Sequence, residues 1–189
     1  GNVSLRYVDS VGDLHQPDMI ILPGTKSTIA DLRWLRQCGL EAAIHKAADA
    51  GTLVFGVCGG YQMLGRTVSD PEQVEAAGTT EILGMGLLEM DTIFLGEKVQ
   101  AQTTGVFAGI SGVLSDLNGM SYSGYEIHMG RSEEEMPALA GTGNVYGSYV
   151  HGVFDASGIS DTILKALCVR KGIDFDALET FDISEYKEH

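Results

Sequence analysis

Thr52-Leu-Val-Phe-Gly-Val-Cys58-Gly-Gly-Tyr-Gln-Met-Leu64 is the stretch whose reading decides the fold. Its first half, Thr52 to Val57, is a short apolar run without polar alternation. That is how a strand buried on both faces of a parallel sheet reads. Its second half, Tyr61 to Leu64, is a short helical stretch. Between them, Gly56-Val-Cys-Gly-Gly60 has the form G-x-C-x-G, a nucleophile elbow with a thiol in place of the hydroxyl. A nucleophile on so sharp a strand-to-helix turn sits in a strained backbone conformation, and its neighbours must be small. Glycines at 56 and 60 let the adjoining elements approach. A helix N-terminus aimed at Cys58 predicts a stabilised thiolate with a lowered pKa, and the Gly59 N–H can face a developing oxyanion.

Upstream, Val3 to Val8 is a strand candidate, and Asp18-Met-Ile-Ile-Leu22 is a second, near-continuous apolar strand that stops at Pro23-Gly24. Ser27 or Thr28 can cap a helix that runs to about Gln37 and ends at Gly39. Leu40, Ala43, Ile44, Ala47 and Ala48 give a second helix, with Gly51 past its end. This βαβ pattern implies an α/β fold with a parallel sheet and helices on its faces. From about Gly84 to Gly130 glycines are frequent and helical periodicity is lost. Gly86 to Phe94, Val99 to Phe107 and Tyr122 to Met129 read as strands, followed by Asn144 to Val150. A last helix spans about Asp161 to Lys171, bounded by Ser160 and Gly172, with Ile163, Leu164, Leu167 and Cys168 inward. No repeat or linker interrupts the chain, so residues 1–189 read as one domain.

Twenty-six acidic residues against 12 basic ones give a net charge of −14, a field that repels polyanions and argues against nucleic-acid binding. Glu133, Glu134 and Glu135 form a run that reads as a solvated loop. No apolar run approaches the roughly 18 residues of a membrane span, and Gly1 to Arg6 does not open a secretory signal. Three cysteines, Cys38, Cys58 and Cys168, lack disulfide or zinc-site spacing, so no metal is expected and a reducing cytoplasm is the expected compartment.

The plainer reading of a lone cysteine is a small core residue. Cys38 and Cys168 fit it, each on or beside an apolar helix face. Cys58 fits it badly, because it follows a strand and has glycines around it. A cysteine nucleophile needs a base, and the chain has five histidines. His15 lies in a polar loop, His45 on an outward helix position and His189 at the chain end. His128 and His151 each lie near the end of a late strand. His151, after Tyr146-Gly-Ser-Tyr-Val150, can project over the carboxyl edge of the sheet, where open α/β sheets bind ligands. Each histidine could also simply cap its strand. The loop Leu22-Pro-Gly-Thr-Lys-Ser27 enters a helix from a parallel strand. It could cradle a phosphate, although it lacks the G-x-x-x-x-G-K-[ST] spacing, or supply a second oxyanion donor beside the cysteine.

Four segments resemble the class I (triad) glutamine amidotransferase domain of the cobyric acid synthase family: Leu22-Pro-Gly-Thr-Lys-Ser-Thr-Ile-Ala-Asp-Leu32, Gly56-Val-Cys-Gly-Gly-Tyr-Gln-Met-Leu-Gly65, Gly124-Tyr-Glu-Ile-His-Met-Gly130 and Gly147-Ser-Tyr-Val-His-Gly-Val-Phe-Asp155. The Pro-Gly-Thr-Lys-Ser-Thr segment resembles this branch more than the related a,c-diamide synthases. The resemblance implies a flavodoxin-like three-layer fold, with a mixed, mostly parallel central sheet flanked by helices and a strand-rich antiparallel middle section. It implies that Cys58 attacks the side-chain amide of L-glutamine to form a thioester and that His151 moves the protons. Gly59, Gly24 and Thr25 would hold the oxyanion, Gln62 would line the glutamine pocket, and Tyr125 and His128 would lie near it. It further implies a longer parent chain, with an ATP- and magnesium-dependent synthetase domain and the first strand of this domain ahead of Gly1. No cofactor belongs to the present residues. The acceptor would be the corrinoid adenosylcobyrinic acid a,c-diamide, reached through the synthetase domain, and the product cobyric acid, in cobalamin biosynthesis.

One departure concerns the third catalytic position. Triad amidotransferases carry a glutamate two residues after the histidine, and here that residue is Val153. Asp155 shares the parity of His151 only if the strand continues through Gly152. Three other readings compete: the a,c-diamide synthase domain, a DJ-1-like cysteine-elbow hydrolase and a non-catalytic docking module. Gln62 and the lack of an acid beside the elbow disfavour the hydrolase. A docking module would not need Cys58, His151 and both glycines together.

Overall fold

The parallel strands predicted around the elbow form the centre of the molecule. The computed structural model describes residues 3–75, 77–78, 80–132 and 137–177. A short helix, α1 (Val11–Leu14), leads to β1 (Met19–Leu22), then α2 (Thr28–Gln37), α3 (Leu40–Asp49), β2 (Leu53–Val57) and α4 (Gly59–Leu64). Next come β3 (Thr67–Ser69), β4 (Glu81–Leu83), the long β5 (Asp91–Val106), β6 (Ser121–Ser132), β7 (Ala140–Thr142), β8 (Val145–Ser148), β9 (Val150–His151) and α5 (Ile159–Lys171).

One sheet has the order β1-β2-β8-β7. Its first three strands are parallel, from Met19 opposite Leu53 to Val57 opposite Ser148, and β7 adds an antiparallel edge. Strand alternation divides its side chains between two cores. Ile20, Leu22, Val54 and Val145 pack with Leu32, Leu35, Leu40 and Ile44 of α2 and α3. Leu53, Phe55 and Tyr146 pack on the other side with Ile159 and Ile163 of α5 and with Leu114 and Leu117 of a short 3-10 segment. Helices therefore cover both faces, the three-layer arrangement expected of an α/β fold. A second sheet, β4-β3-β5-β6-β9, is dominated by the antiparallel β5–β6 hairpin. The strand β9 ties it to the first sheet, pairing Val150 with Glu126 and His151 with Tyr125 directly after β8.

Several sequence expectations are corrected. Val3 to Val8 is not a strand: Val3, Leu5 and Tyr7 are exposed, and the segment has no ladder neighbour among the described residues to take its N–H and C=O groups. Residues 86–90 do not belong to a strand. Their amides instead satisfy the end of α4, with Gly86 N–H donating to Gly65 O and Leu87 N–H to Leu64 O. The expected strands Gly86 to Phe94 and Val99 to Phe107 are one strand, β5, with a register shift against β6 between Ile93 and Lys98. The helix α5 starts at Ile159, capped by Gly158 in the left-handed region rather than by Ser160. The strands β3 and β4 were not anticipated. No helix among the described residues is long and apolar enough to cross a membrane.

The elbow glycine is one of the tightest joints in this arrangement. A Cβ at Gly60 would stand 2.1 Å from the Leu22 carbonyl oxygen, which is backbone and cannot turn aside. Gly60→Ala is expected to cost about 3 kcal/mol or more in urea unfolding. Gly86→Ala, with φ +65 but nothing within 4 Å, should cost only about 1 kcal/mol for its left-handed backbone. Because Gly60 itself has ordinary helical backbone, a loss at Gly60→Ala no larger than that at Gly86→Ala would show that the close contact does not set the requirement there.

Candidate functional site

Cys58 directly follows the strand β2 and adopts φ 51, ψ −112, a conformation costly for a residue with a Cβ. The surroundings enforce it. Cys58 N–H donates to Ser148 O at 2.8 Å, and Gln62 N–H donates to Cys58 O at 3.0 Å, so the chain must turn within one residue from ladder to helix. A Cβ on Gly56 would lie 2.6 Å from the Tyr61 nitrogen, so only glycine lets α4 fold back on its own strand. The Cys58 side chain is 7% exposed, and its thiol donates to Ile127 O at 3.3 Å. Burial pushes the thiol above its ordinary pKa, and the Gly59 N–H only partly offsets this. The expected lowering is thus reversed in this state. A six-residue helix and one amide do not outweigh the loss of water around a thiolate.

The loop after β1 forms the second wall. A Cβ at Gly24 would lie 3.3 Å from His151 Cε1 and 3.5 Å from Cys58 Cβ, so both side chains converge on this glycine. Thr25 presses on the elbow: a Cβ at Gly59 would stand 2.5 Å from Thr25 Cγ2 and 3.2 Å from Thr25 N. The Thr25 nitrogen therefore lies close to Gly59, whose own N–H bonds the sulfur. The loop is braced from within. The Thr25 hydroxyl donates to the Asp31 carboxylate and accepts from Ser27 N–H at 3.1 Å.

Ser27 precedes α2 as expected but makes no capping bond through its side chain. The cap is Glu75, whose carboxylate accepts Thr28 N–H at 2.6 Å and Ile29 N–H at 2.9 Å. Burial raises the Glu75 pKa, and those two N–H groups oppose the shift. With these amides occupied and Lys26 exposed, the phosphate-cradle reading of the loop loses its anion site. Gln62 is almost fully buried behind the elbow. Its Oε1 accepts the Thr28 hydroxyl at 3.1 Å, joining α4 to α2.

His151 comes from the other sheet. Its ring stacks on Tyr125, with centroids 5.5 Å apart and planes within 7°. Its Nε2 is buried and has no hydrogen-bond partner among the described residues. The strand ends at His151 because Gly152 takes φ +80, and Val153–Asp155 form a 3-10 turn. The parity that would have placed Asp155 beside the imidazole is therefore broken, and no hydrogen bond joins the two. Val153 is buried in the core. The backbone of His128 pairs with Val99 in the hairpin, and its side chain lies outside the described residues. An open cavity of about 450 Å³, lined by residues including Gln100, Gln102, Ser123, Tyr125 and Ile127, abuts the same hairpin. Tyr125 and Ile127 thus touch both the cavity and the Cys58–His151 cluster.

The structure therefore brings together Cys58, Gly59, Gly24, Thr25, His151 and Tyr125, with Gln62 in support. A buried thiol, an imidazole nitrogen without a partner and two adjacent amides are the parts that acyl transfer requires. Sequence reasoning missed the Ile127 carbonyl and Glu75, which no short-range pattern links to residues 58 and 28.

Comparison with known proteins shows the family and the fold. The family model described as the CobB/CobQ-like glutamine amidotransferase domain matches residues 1–159. A cobyric acid synthase of Lachnoclostridium phytofermentans is 48% identical over 99% of this chain and 41% of its own length. Those of Ruminiclostridium cellulolyticum and Moorella thermoacetica are 43% and 41% identical, over 98% and 90% of this chain and 39% and 37% of their own. The chain thus spans about two fifths of the curated relatives it matches. Among solved structures, one titled as a glutamine amidotransferase superposes with a TM-score of 0.59 at 17% identity, covering 90% of this chain and 88% of that one. The PurLQS structure from Thermotoga maritima gives 0.52 at 19%, covering 82% of each chain. Both share the fold.

Because burial holds the thiol protonated, alkylation of Cys58 by iodoacetamide without glutamine should keep accelerating at pH values where an unstructured cysteine peptide has already reached its plateau. Poor access alone would lower the rate without moving the plateau. A plateau at or below neutral pH would show that the helix terminus governs the sulfur after all.

Proposed function

Because the chain belongs to the CobB/CobQ-like glutamine amidotransferase domain family, we propose that it is the glutaminase half of a cobyric acid synthase, with Cys58 as nucleophile and His151 as proton carrier. The observation that carries this reading is the convergence of Cys58 and His151 on Gly24, beside the Gly59 and Thr25 amides. The Cys58 thiol gives its proton to the unpartnered Nε2 of His151, and the sulfur attacks the side-chain amide carbon of L-glutamine. The Gly59 and Thr25 N–H groups bind the resulting oxyanion, and Gly24 keeps the loop close enough for them to act. His151 returns the proton to nitrogen, ammonia leaves and a γ-glutamyl thioester remains. Water, deprotonated by His151, then hydrolyses it to glutamate and free thiol. Tyr125 holds the imidazole plane by stacking, and Gln62 ties the helix after the elbow to the start of α2.

Ammonia would pass to an ATP- and magnesium-dependent synthetase domain of the same parent chain, which amidates carboxylates of adenosylcobyrinic acid a,c-diamide in the cytoplasm. The names and coverage of the relatives support this context over the a,c-diamide synthase reading. In the full natural chain, Cys58→Ala should abolish ATP-dependent amidation with glutamine and leave amidation with free ammonia intact. A variant that still hydrolyses glutamine at the wild-type rate would sink the nucleophile assignment.

The third position is the least conventional part of the mechanism. A carboxylate that orients a catalytic histidine is worth about 10⁴-fold in the serine-protease case, and none bonds His151 among the described residues. His151→Ala should therefore lower glutaminase kcat by orders of magnitude, and Asp155→Asn by less than about tenfold. Equal losses in two folded variants would make Asp155 the third member.

A further inference from the structure

Glu75 takes no chemical step in the reaction above, yet it occupies an expensive position. Its half-buried carboxylate accepts the first two amides of α2, Thr28 N–H at 2.6 Å and Ile29 N–H at 2.9 Å. A buried carboxylate costs free energy unless it is fully hydrogen-bonded, so a helix needing only an ordinary cap would be served by its own flank. Ser27 stands at that flank and makes no such bond through its side chain.

The Glu75 backbone is itself pinned. Asp70, with no exposed surface, accepts Val74 N–H at 2.8 Å and Glu75 N–H at 3.0 Å through its two carboxylate oxygens. Its own N–H donates to Thr80 O at 2.8 Å, directly after β3. A short chain of contacts then runs from β3 through Asp70 and Glu75 to the start of α2. There it divides. The Thr28 hydroxyl reaches Gln62 behind the elbow, and the residues just before Thr28 are the loop that sets the Thr25 amide against Gly59.

We infer that Glu75 is a positioning residue of the amidotransferase site: by capping α2 from outside it fixes the Gly24–Ser27 loop, so that the Thr25 N–H stays in register with the Gly59 N–H, and Asp70 holds Glu75 in place. The inference rests on the amidotransferase reading. It assigns the 70–75 turn a role in stabilising the transition state rather than in binding glutamine or ionising Cys58. Loss of the cap should therefore appear in kcat, with KM for glutamine and the reactivity of the thiol toward a small alkylating agent unaffected.

The test uses the full natural chain and measures glutamine-dependent ammonia release together with iodoacetamide alkylation of Cys58. In Glu75→Gln the carboxamide turns an NH2 toward one of the two amides. It should lower kcat about 10–100-fold, short of the 10²–10³ seen when a donor is deleted, with KM and the alkylation rate within about threefold of wild type. In that background Ser27→Asp, which supplies a cap from the helix's own flank, should recover part of kcat. An active wild type with kcat unchanged in Glu75→Gln overturns the positioning role alone, as does a kcat loss matched by an equal loss of alkylation. A wild type without glutaminase activity overturns the amidotransferase reading, and the inference with it. If Glu75→Gln fails to fold, Glu75→Asp, with its charge kept and its reach shortened, decides: an intermediate kcat supports the role, and a wild-type kcat refutes it.

Discussion

The close approach of Gly60 to the Leu22 carbonyl is the constraint on which the rest of the site depends. No side chain separates α4 from the end of β1 at this point, since a Cβ would come within 2.1 Å of the oxygen. With α4 seated so low, the chain leaving β2 has a single residue in which to turn, and that residue is Cys58 at φ 51. The strain, of order 1–3 kcal/mol, is held by the ladder on one side and the helix on the other. The same seating brings Gly59 against Thr25. The strained Cys58 and the nearness of Gly59 to Thr25 are thus two results of one contact.

A second consequence follows from where the first sheet ends. The strand β8 lies parallel to β2 as far as Ser148, and the chain then changes sheets, so that His151 pairs with Tyr125 of the hairpin. The thiol and the imidazole therefore belong to different sheets and meet at the seam between them. Gly124 permits this junction: a Cβ there would lie 2.2 Å from the His151 carbonyl oxygen. Geometry at such a seam responds to how the hairpin sits. The hairpin that pairs with His151 also lines the open cavity.

The sequence made the elbow legible because its information is local: an apolar run, then small residues around one cysteine, then helical spacing. His151 was legible for a similar reason, as a histidine just past a buried strand. What escaped was set by contacts distant in sequence. Glu75 caps a helix whose own flank offers Ser27, and nothing near residue 75 announces that. Val3 to Val8 has the alternation of a strand, but alternation states only what a strand would look like once it had a neighbour. The register shift in β5 reads from the sequence as a break between two strands, because an irregularity and a turn look alike without the partner strand. The direction of the Cys58 shift was missed for an energetic reason. Helix position can be read from spacing, but the depth of burial that opposes it depends on the whole fold.

That depth of burial bears on what kind of enzyme this geometry suits. A nucleophile ionised at rest reacts with any electrophile or oxidant that reaches it. Here the thiol is buried, protonated and donating to the Ile127 carbonyl. Three things must then change together for it to act: the bond to Ile127 must break, the proton must move to Nε2, and the electrophilic carbon must lie beside the paired amides. Any one alone is unfavourable, since a bare thiolate in this environment lacks solvation and the amides stabilise only an oxyanion that forms there. An amide substrate carrying its own carbonyl oxygen into the Gly59–Thr25 corner supplies the stabilisation at the moment the charge leaves sulfur. Under the proposed reading, this couples ionisation of the thiol to bound glutamine.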